Sequence, residues 1–241
     1  MIVQLFPTCL VNEFHPAAGM SVARVLERLG CTVVLPEGLT CCGQPAFNAG
    51  FHDEARQVAR HILGVLARTD GPIVIPSGSC SDMLVHQYIE LFRDDASASA
   101  AARAVAARCR EFSQFVAERG GIHAAITRPA RVAYHPSCHL MRGLGVRRQP
   151  LEIISAIAGA TSVPFDEQEE CCGFGGLFSI KNPEISASMM DRKLTAIDAC
   201  GADRLVSCDL GCLLHLEGGL RRRGSAIKVQ HLAELVDEAL E

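Results

Sequence analysis

The feature that most constrains the fold of this chain is a cysteine pattern that occurs twice. Four blocks recur in the same order, and the three that contain cysteine recur at offsets of 129 to 132 residues. The blocks are Phe6-Pro7-Thr8-Cys9 with His135-Pro136-Ser137-Cys138, Cys41-Cys42-Gly43 with Cys171-Cys172-Gly173, Ser77-Gly78-Ser79-Cys80 with Asp209-Leu210-Gly211-Cys212, and the apolar residues Phe112, Phe115 and Val116 with Leu232, Leu235 and Val236. This repeat predicts two modules: module one, residues 1–125, and module two, residues 126–241.

Short apolar runs predict three strands in each module, with helices between them. The predicted strands are 2–6, 32–35 and 73–75 in module one, and 131–134, 161–165 and 204–206 in module two. One predicted helix ends at Gly30, and its counterpart begins at Pro150, includes Ala158 and stops at Gly159. The alanine-rich segment 96–107 predicts an exposed helix. We therefore expect an α/β fold of two tandem, pseudo-symmetric cysteine-rich modules, each with a small parallel sheet flanked by helices.

Twelve cysteines in 241 residues indicate metal or redox chemistry. The N-terminus has no basic segment followed by an apolar one, so no signal peptide is predicted, and no run approaches the ~18 apolar residues that a membrane span needs. We therefore expect a cytoplasmic protein without membrane insertion, and disulfides are disfavoured in that compartment. The net charge of −4 argues against a nucleic-acid partner, which requires a basic surface.

Each repeated cysteine is predicted to follow a strand or to lie in the loop beyond it. Because ligands collect at the carboxyl ends of parallel strands, the four cysteines of a module can converge on one point. Four thiolates are the usual ligands of one iron–sulfur cluster. The predicted metal ligands are Cys9, Cys41, Cys42 and Cys80 in module one, and Cys138, Cys171, Cys172 and Cys212 in module two. Gly43 and Gly173 follow the adjacent cysteines and let the backbone approach a cofactor closely.

The repeat separates these eight cysteines from the other four. Three of the four align with residues of another type: Cys31 with Ala160, Cys109 with Val229 and Cys200 with Arg68. A ligand common to both modules would not align in this way, so we expect these three to be packing residues. Cys208 aligns with Pro76 but neighbours Asp209, which leaves open whether it joins the second site.

A pair of structural zinc sites is the main alternative to iron–sulfur clusters. Zinc sites typically contain Cys-x2–4-Cys pairs, whereas the close pairs here are adjacent and the other gaps are 30 residues or more. A disulfide between adjacent cysteines is disfavoured because it is strained. His135 and His139 flank Cys138 but align with Phe6 and Leu10, so we expect them to pack near the site, although one of them could tune module two alone.

At these residues the sequence resembles the cysteine-rich "CCG" domain family. The family pattern is a Cys, then Cys-Cys-Gly, then Cys-x-x-Cys, and its duplication here covers nearly the whole chain. Known members include a subunit of heterodisulfide reductase and the iron–sulfur subunit of glycolate oxidase. A two-module chain without a ferredoxin domain is most similar to the lactate utilization protein A family, as are the segments 76–80 and 171–176.

The sequence departs from the family pattern at one position in each module. The first Cys of the terminal Cys-x-x-Cys is replaced by Ser77 in module one and by Asp209 in module two. This leaves open whether Ser77 or Asp209 ligates iron, whether the clusters are ordinary four-iron cubanes, and whether module one is empty. The resemblance implies one iron–sulfur cluster, [4Fe-4S], in each module, with cofactor contacts from Gly43, Gly173, Ser77 and Asp209.

The resemblance also implies a function. It indicates an iron–sulfur electron-transfer subunit of a cytoplasmic L-lactate oxidation complex, with iron–sulfur and lactate-utilization proteins as partners. Such a chain is a component of an oxidoreductase rather than a complete enzyme, and we assign no catalytic residue because the sequence contains no recognisable nucleotide site or substrate base. The alternatives are a subunit of a glycolate oxidase or of a heterodisulfide or thiol–disulfide reductase, and a non-enzymatic structural zinc protein.

Overall fold

Two four-stranded parallel sheets form the framework of the molecule, which a computed structural model describes over residues 1–240. The strands are β1 (Ile2–Leu5), β2 (Thr32–Val34), β3 (Ile73–Ile75), β4 (Cys109–Glu111), β5 (Ala124–Tyr134), β6 (Ile157–Ser162), β7 (Arg204–Ser207) and β8 (Lys228–His231). The order is β2-β1-β3-β4 in the first sheet and β6-β5-β7-β8 in the second. The same order in both sheets confirms the predicted α/β fold with two pseudo-symmetric parallel sheets.

Thirteen α-helices among the described residues surround the sheets. They are α1 (Cys9–Phe14), α2 (Pro16–Arg28), α3 (Gln44–Asn48), α4 (His52–Leu66), α5 (Gly78–Asp82), α6 (Tyr88–Leu91), α7 (Ala96–Arg108), α8 (Phe112–Glu118), α9 (Gln149–Ser155), α10 (Leu177–Lys181), α11 (Pro183–Ala199), α12 (Leu210–Arg222) and α13 (Leu232–Leu240), and two π-helical turns span Met83–Gln87 and His139–Gly143. Helix α2 shows why the sequence folds in this way. Pro16 starts it with a preset φ, and Val22 and Leu26 bury its apolar face. None of the helices within residues 1–240 is long and apolar enough to span a membrane.

The fourth strand of each sheet was not predicted. Strands β4 and β8 are short and contain Arg110, Lys228 and Gln230, so neither reads as an apolar run. Each pairs in parallel with the strand beside it, through Val74–Arg110 in the first sheet and Val206–Gln230 in the second. Backbone hydrogen bonds therefore form these edge strands, and the hydrophobic pattern of a sequence does not reveal such bonds.

The predicted start of the second module's helix and strand was correct only in part. Helix α9 ends at Ser155, so Ala158 and Gly159 lie in β6, which spans Ile157–Ser162 rather than the predicted 161–165. The reason is that β5 begins at Ala124, earlier than predicted, and Ala125 pairs with Ala158. The register then shifts, and Gly159 lies at the irregularity with a φ of +88° that favours glycine.

The alanine-rich helix was predicted to be exposed, and this is wrong for one of its faces. Helix α7 buries Ser99, Ala102 and Val105, and the last two belong to the apolar core of the first sheet. Small side chains allow this helix to approach its neighbours closely, although they provide little hydrophobic contrast along the sequence.

The two halves of the chain pack against each other extensively. Helix α13, at the end of the chain, packs on α2, and Val22 and Val236 belong to one apolar core. Beside them, the buried carboxylate of Asp237 accepts hydrogen bonds from Ser21 Oγ at 2.9 Å and from Arg24 Nε at 2.8 Å. The division of the chain at residues 125 and 126 stays a prediction, and β5 begins two residues before it.

Substitution of Gly78 should show how closely the halves fit. Its amide donates to the Cys208 carbonyl at 3.3 Å, and a Cβ on Gly78 would lie 2.6 Å from Leu140 Cβ and 3.0 Å from Leu140 N. Because this contact leaves no space for a methyl group, we expect Gly78→Ala to lower the free energy of unfolding by about 1–3 kcal/mol. Gly64→Ala in α4 is the matched control, since its Cβ would meet no atom within 4 Å. It should raise stability by up to about 1 kcal/mol. Equal urea midpoints for the two variants would contradict the close fit.

Candidate metal centre between the two modules

All eight repeated cysteines line one cavity, which lies between the modules at the carboxyl ends of the central strands. The lining sulfur residues are Cys9, Cys41, Cys42, Cys80, Cys138, Cys171, Cys172 and Cys212. The volume is about 180 Å³, smaller than the ~300–1,000 Å³ usual for sites that enclose an organic ligand. The sequence predicted two converging groups of four, and the structure adds that both groups face the same space.

Local backbone structure positions the cysteines of module one. Cys9 is the first residue of α1, and the preceding residue, Thr8, has a φ of 59°, unusual for a residue other than glycine. Cys80 lies in α5, whose N-terminus is capped by Ser77 Oγ, an acceptor for the Cys80 amide at 3.3 Å. Cys41 and Cys42 occupy the loop before α3, where Gly43 has a φ of +82°. Helix starts and one glycine-containing loop therefore bring the four thiols together.

The adjacent cysteines of module one contact different partners. Cys41 Sγ lies 3.6 Å from Cys9 Sγ, whereas Cys42 Sγ lies 3.3 Å from Cys80 Sγ. Tyr88 Oη donates to the Cys42 carbonyl at 2.8 Å and fixes this turn of the loop. Because successive side chains alternate, each of the two adjacent thiols meets a partner from a different part of the chain.

Module two repeats the arrangement, and in both modules backbone amides donate hydrogen bonds to cysteine sulfur. The Gly173 amide donates to Cys171 Sγ at 3.4 Å, and the Phe174 amide donates to Cys172 Sγ at 3.5 Å. Gly173 has a φ of +90°, and a Cβ there would lie 2.6 Å from the Ser186 carbonyl oxygen. Only glycine fits this position beside the Ser186 backbone, and the predicted contact of Gly173 with a cofactor stays a prediction. In module one the Gly43 amide likewise donates to Cys41 Sγ at 3.5 Å.

Within each set, hydrogen bonds between the thiols lower the pKa of one member and raise the pKa of others. Hydrogen bonds from Cys42 and Cys9 lower the pKa of Cys41, whereas the hydrogen bond with Cys41, followed by burial, raises the pKa of Cys9. Hydrogen bonds with Cys41 and Cys80, together with burial, raise the pKa of Cys42. A positive charge bound between the thiols would favour ionisation of the other members, so a cationic centre suits this donor set.

The same pattern recurs in module two. Hydrogen bonds from Cys138 and Cys172 lower the pKa of Cys171. The hydrogen bond with Cys171 is the largest of the effects that raise the pKa of Cys138, and likewise of those that raise the pKa of Cys172. Two equivalent sets of four thiols, each with one readily ionised member, are therefore present.

Ser77 and Asp209 lie against each other across the module boundary. Asp209 Oδ2 accepts from the Ser79 amide at 2.8 Å and from Ser77 Oγ at 3.2 Å. Asp209 Oδ1 accepts from the Gly211 amide at 3.1 Å and caps α12. Both residues line the cavity, but their oxygen atoms take part in capping and in contacts between the modules. Their predicted contact with a cofactor stays a prediction.

The four cysteines outside the repeat lie away from the cavity. Cys31 and Cys109 are buried in the apolar cores of the protein, and Cys200 Sγ donates to the Ile197 carbonyl at 3.1 Å. Cys208 is fully buried, and its sulfur lies 3.7 Å from Tyr134 Oη. Cys208, whose place the sequence left open, is therefore a core residue beside the module boundary.

Two histidines beside Cys138 differ sharply in their surroundings. His139 lines the cavity, and its Nδ1 lies 2.8 Å from the carboxylate of Asp82, which also contacts His86 Nδ1 at 2.9 Å. His135 is fully buried, and a ring nitrogen lies within 4.8 Å of the sulfur atoms of Cys172 and Cys212. The available sequence signal for His135 was its place at the end of a buried strand, where module one has Phe6.

Comparison with known proteins identifies two copies of one domain in the chain. The family described as Cysteine-rich domain (CCG) matches residues 3–85 and 132–217. Lactate utilization protein A of Exiguobacterium sp. is 39% identical over 240 residues, which cover 99% of this chain and 98% of that protein. Lactate utilization protein A of Shouchella clausii is 41% identical over 98% of this chain and 99% of that protein.

A solved structure supports the fold alone. The crystal structure of a hypothetical protein from Helicobacter pylori superposes with a TM-score of 0.72 at 12% sequence identity. The alignment covers 99% of this chain and 49% of the other, so the chain spans about half the length of that protein.

Proposed function

Because the chain belongs to the lactate utilization protein A family of cysteine-rich CCG domain proteins, we propose that it is an iron–sulfur electron-transfer subunit of a cytoplasmic L-lactate oxidation system. The observation that carries this proposal is the convergence of two equivalent sets of four cysteines on one cavity. The name of the relatives supports a role in lactate utilization, and the cysteines support iron–sulfur electron transfer.

The donor sets suit iron–sulfur clusters. Cys9, Cys41, Cys42 and Cys80 would hold one [4Fe-4S] cluster, and Cys138, Cys171, Cys172 and Cys212 would hold the other. A bound cluster supplies a site that gains and loses one electron. The amides of Gly43, Gly173 and Phe174 already donate to cysteine sulfur, and such bonds stabilise negative charge on a cluster and its ligands.

Burial divides each set into two inner and two outer thiols. Cys42, Cys80, Cys172 and Cys212 are buried, whereas Cys9, Cys41, Cys138 and Cys171 are partly exposed. The inner thiols lie away from water, and the outer ones reach the surface of the protein. We therefore propose that partner iron–sulfur or lactate-utilization proteins exchange electrons through the side of the outer cysteines, and that lactate itself reacts on another chain.

A structural zinc protein is the second candidate, and one observation favours it. His135, Cys172 and Cys212 place their ligand atoms within 4.8 Å of one another, which would suit a single tetrahedral ion. Metal and sulfide analysis of protein purified without oxygen separates the two. We expect brown protein with iron and acid-labile sulfide, whereas colourless protein with stoichiometric zinc and no sulfide would overturn the electron-transfer proposal.

The substrate of the system can be tested by growth. Deletion of the gene in its host should abolish growth on L-lactate as the sole carbon source and spare growth on glycolate. The wild-type gene and a Cys200→Ser variant should restore growth, because Cys200 lies outside the cavity. The double variant Cys42→Ser/Cys172→Ser should not. Loss of growth on glycolate alone would favour the glycolate oxidase alternative, and full complementation by the double variant would contradict the role of the clusters.

A further inference from the structure

His135 has an unexplained buried imidazole. The residue is completely inaccessible to solvent, and neither ring nitrogen has a hydrogen-bond partner within residues 1–240. The Gln168 backbone lies near the ring without hydrogen-bond geometry. Leaving a buried polar group without a partner destabilises the folded state, so such groups call for a reason of their own. Coordination of a metal by the imidazole would be such a reason.

The ring is aimed at the second set of cysteines. One ring nitrogen, Cys172 Sγ and Cys212 Sγ all lie within 4.8 Å of one another, and all three residues are buried. The backbone holds the ring in this place, because the His135 amide donates to the Val206 carbonyl at 2.8 Å and the His135 carbonyl accepts from Ser207 Oγ at 2.8 Å. The imidazole is therefore held at the end of β5, facing two inner thiols.

Lys193 places a positive charge near the imidazole and near the sulfur atoms of the second cysteine set. Lys193 is itself buried, and its ammonium donates to the backbone carbonyls of Glu167 and Gln168. The ammonium is thus tied to the backbone, and its charge also favours thiolates nearby.

Module one has no equivalent of this group. The aligned residue is Phe6, which is fully buried in the apolar core of the first sheet. The acidic residue of module two at the family's fifth cysteine position, Asp209, already accepts hydrogen bonds on both oxygens. In module two, His135 therefore offers a ring nitrogen without a hydrogen-bond partner that could bind a metal beside the inner cysteines.

We infer that His135 is a ligand of the metal centre of module two, binding iron through a ring nitrogen together with Cys138, Cys171, Cys172 and Cys212. This inference rests on the proposed iron–sulfur function and makes the two modules chemically different. Module one presents sulfur alone from its four cysteines, whereas module two presents sulfur and nitrogen.

The test is pulsed electron paramagnetic resonance on reduced protein purified without oxygen, with and without ¹⁵N-labelled histidine. In the wild-type protein we expect a hyperfine coupling between the unpaired electron of the cluster and a directly bound nitrogen. This coupling should change when the histidine is labelled with ¹⁵N. The signal should disappear in His135→Phe, which copies Phe6 of module one, and should persist in His139→Gln, which removes the histidine that lines the cavity. The labelled wild-type protein gives a result even if His135→Phe does not fold.

Iron and sulfide analysis of the same samples distinguishes the possible failures. Protein that contains iron and sulfide but shows no coupling to histidine nitrogen would overturn the His135 assignment and leave the electron-transfer proposal intact. The same conclusion would follow if the coupling persisted in folded His135→Phe protein. Protein without iron and sulfide would overturn both.

Discussion

Replacing Cys172 with serine should remove about half of the iron and acid-labile sulfide from protein purified without oxygen, because we propose that the four thiolates of each module hold one cluster. Cys172 is buried and lies close to Cys212, and the Phe174 amide donates to its sulfur at 3.5 Å. A serine hydroxyl is a much weaker ligand for iron than a thiolate, so the cluster of module two should be lost. Cys42→Ser should remove the other half, and the double variant should contain almost no iron.

The cysteines outside the cavity provide the controls. Cys31→Ser tests a buried thiol in the core, and Cys200→Ser tests a partly exposed one, so the two match the inner and outer cysteines of the site. Both control variants should keep the iron content of the wild-type protein. If Cys42→Ser kept all of the iron while Cys172→Ser lost all of it, module one would be empty. Equal iron in wild-type and double-variant protein would refute the assigned ligands.

The internal repeat explains why so much of the site could be predicted. Four cysteines of module one recur in module two, whereas Cys31, Cys109 and Cys200 align with residues of other types. The structure places all eight repeated cysteines around the cavity and these three outside it. Their position at the carboxyl ends of parallel strands follows from topology alone. A duplicated pattern therefore separates site cysteines from packing cysteines, since a cysteine that only packs need not occur at the equivalent position of the other module.

The relation between the modules could not be predicted in this way. That both cysteine sets share one cavity depends on contacts such as those between Asp209 and Ser79 and between Gly78 and Leu140, which join distant parts of the sequence. His135 was expected to pack near the site. Its lack of a hydrogen-bond partner becomes visible only when every neighbour is known. Pairwise packing between modules leaves no periodic signal along the chain.

Replacing Glu111 with glutamine should stabilise the protein at neutral and alkaline pH. Glu111 is fully buried at the end of β4, where its Oε2 caps α8 by accepting from the Ser113 amide at 2.8 Å, while Oε1 has no partner within residues 1–240. Burial raises the pKa of this carboxyl from 4.5 to about 7. Glutamine keeps an oxygen for the cap and removes the charge that burial penalises.

The sign of the effect follows from linkage. The folded-state pKa lies above the unfolded value, so the contribution of Glu111 to stability is fully present below pH 4.5 and is lost as the pH rises through 7. A difference of this size corresponds to about 3 kcal/mol. Urea unfolding of metal-free, reduced protein should therefore show Glu111→Gln gaining up to about 3 kcal/mol on the wild type between pH 5 and pH 8. Parallel stability curves for the two proteins would contradict this.

The equivalent residue of module two supplies a control of opposite sign. His231 ends β8, is fully buried, and caps α13 by accepting from the Ala233 amide at 3.1 Å through Nδ1. Burial lowers its pKa from 6.5 to about 4, so its contribution is present above pH 6.5 and is lost as the pH falls through 4. His231→Asn keeps a capping oxygen and should remove the loss of stability that develops as the pH falls from 6.5 to 4. Glu111→Gln should remove the loss that develops as the pH rises from 4.5 to 7, so the two variants change the slope of the stability curve in opposite directions over nearly the same pH range.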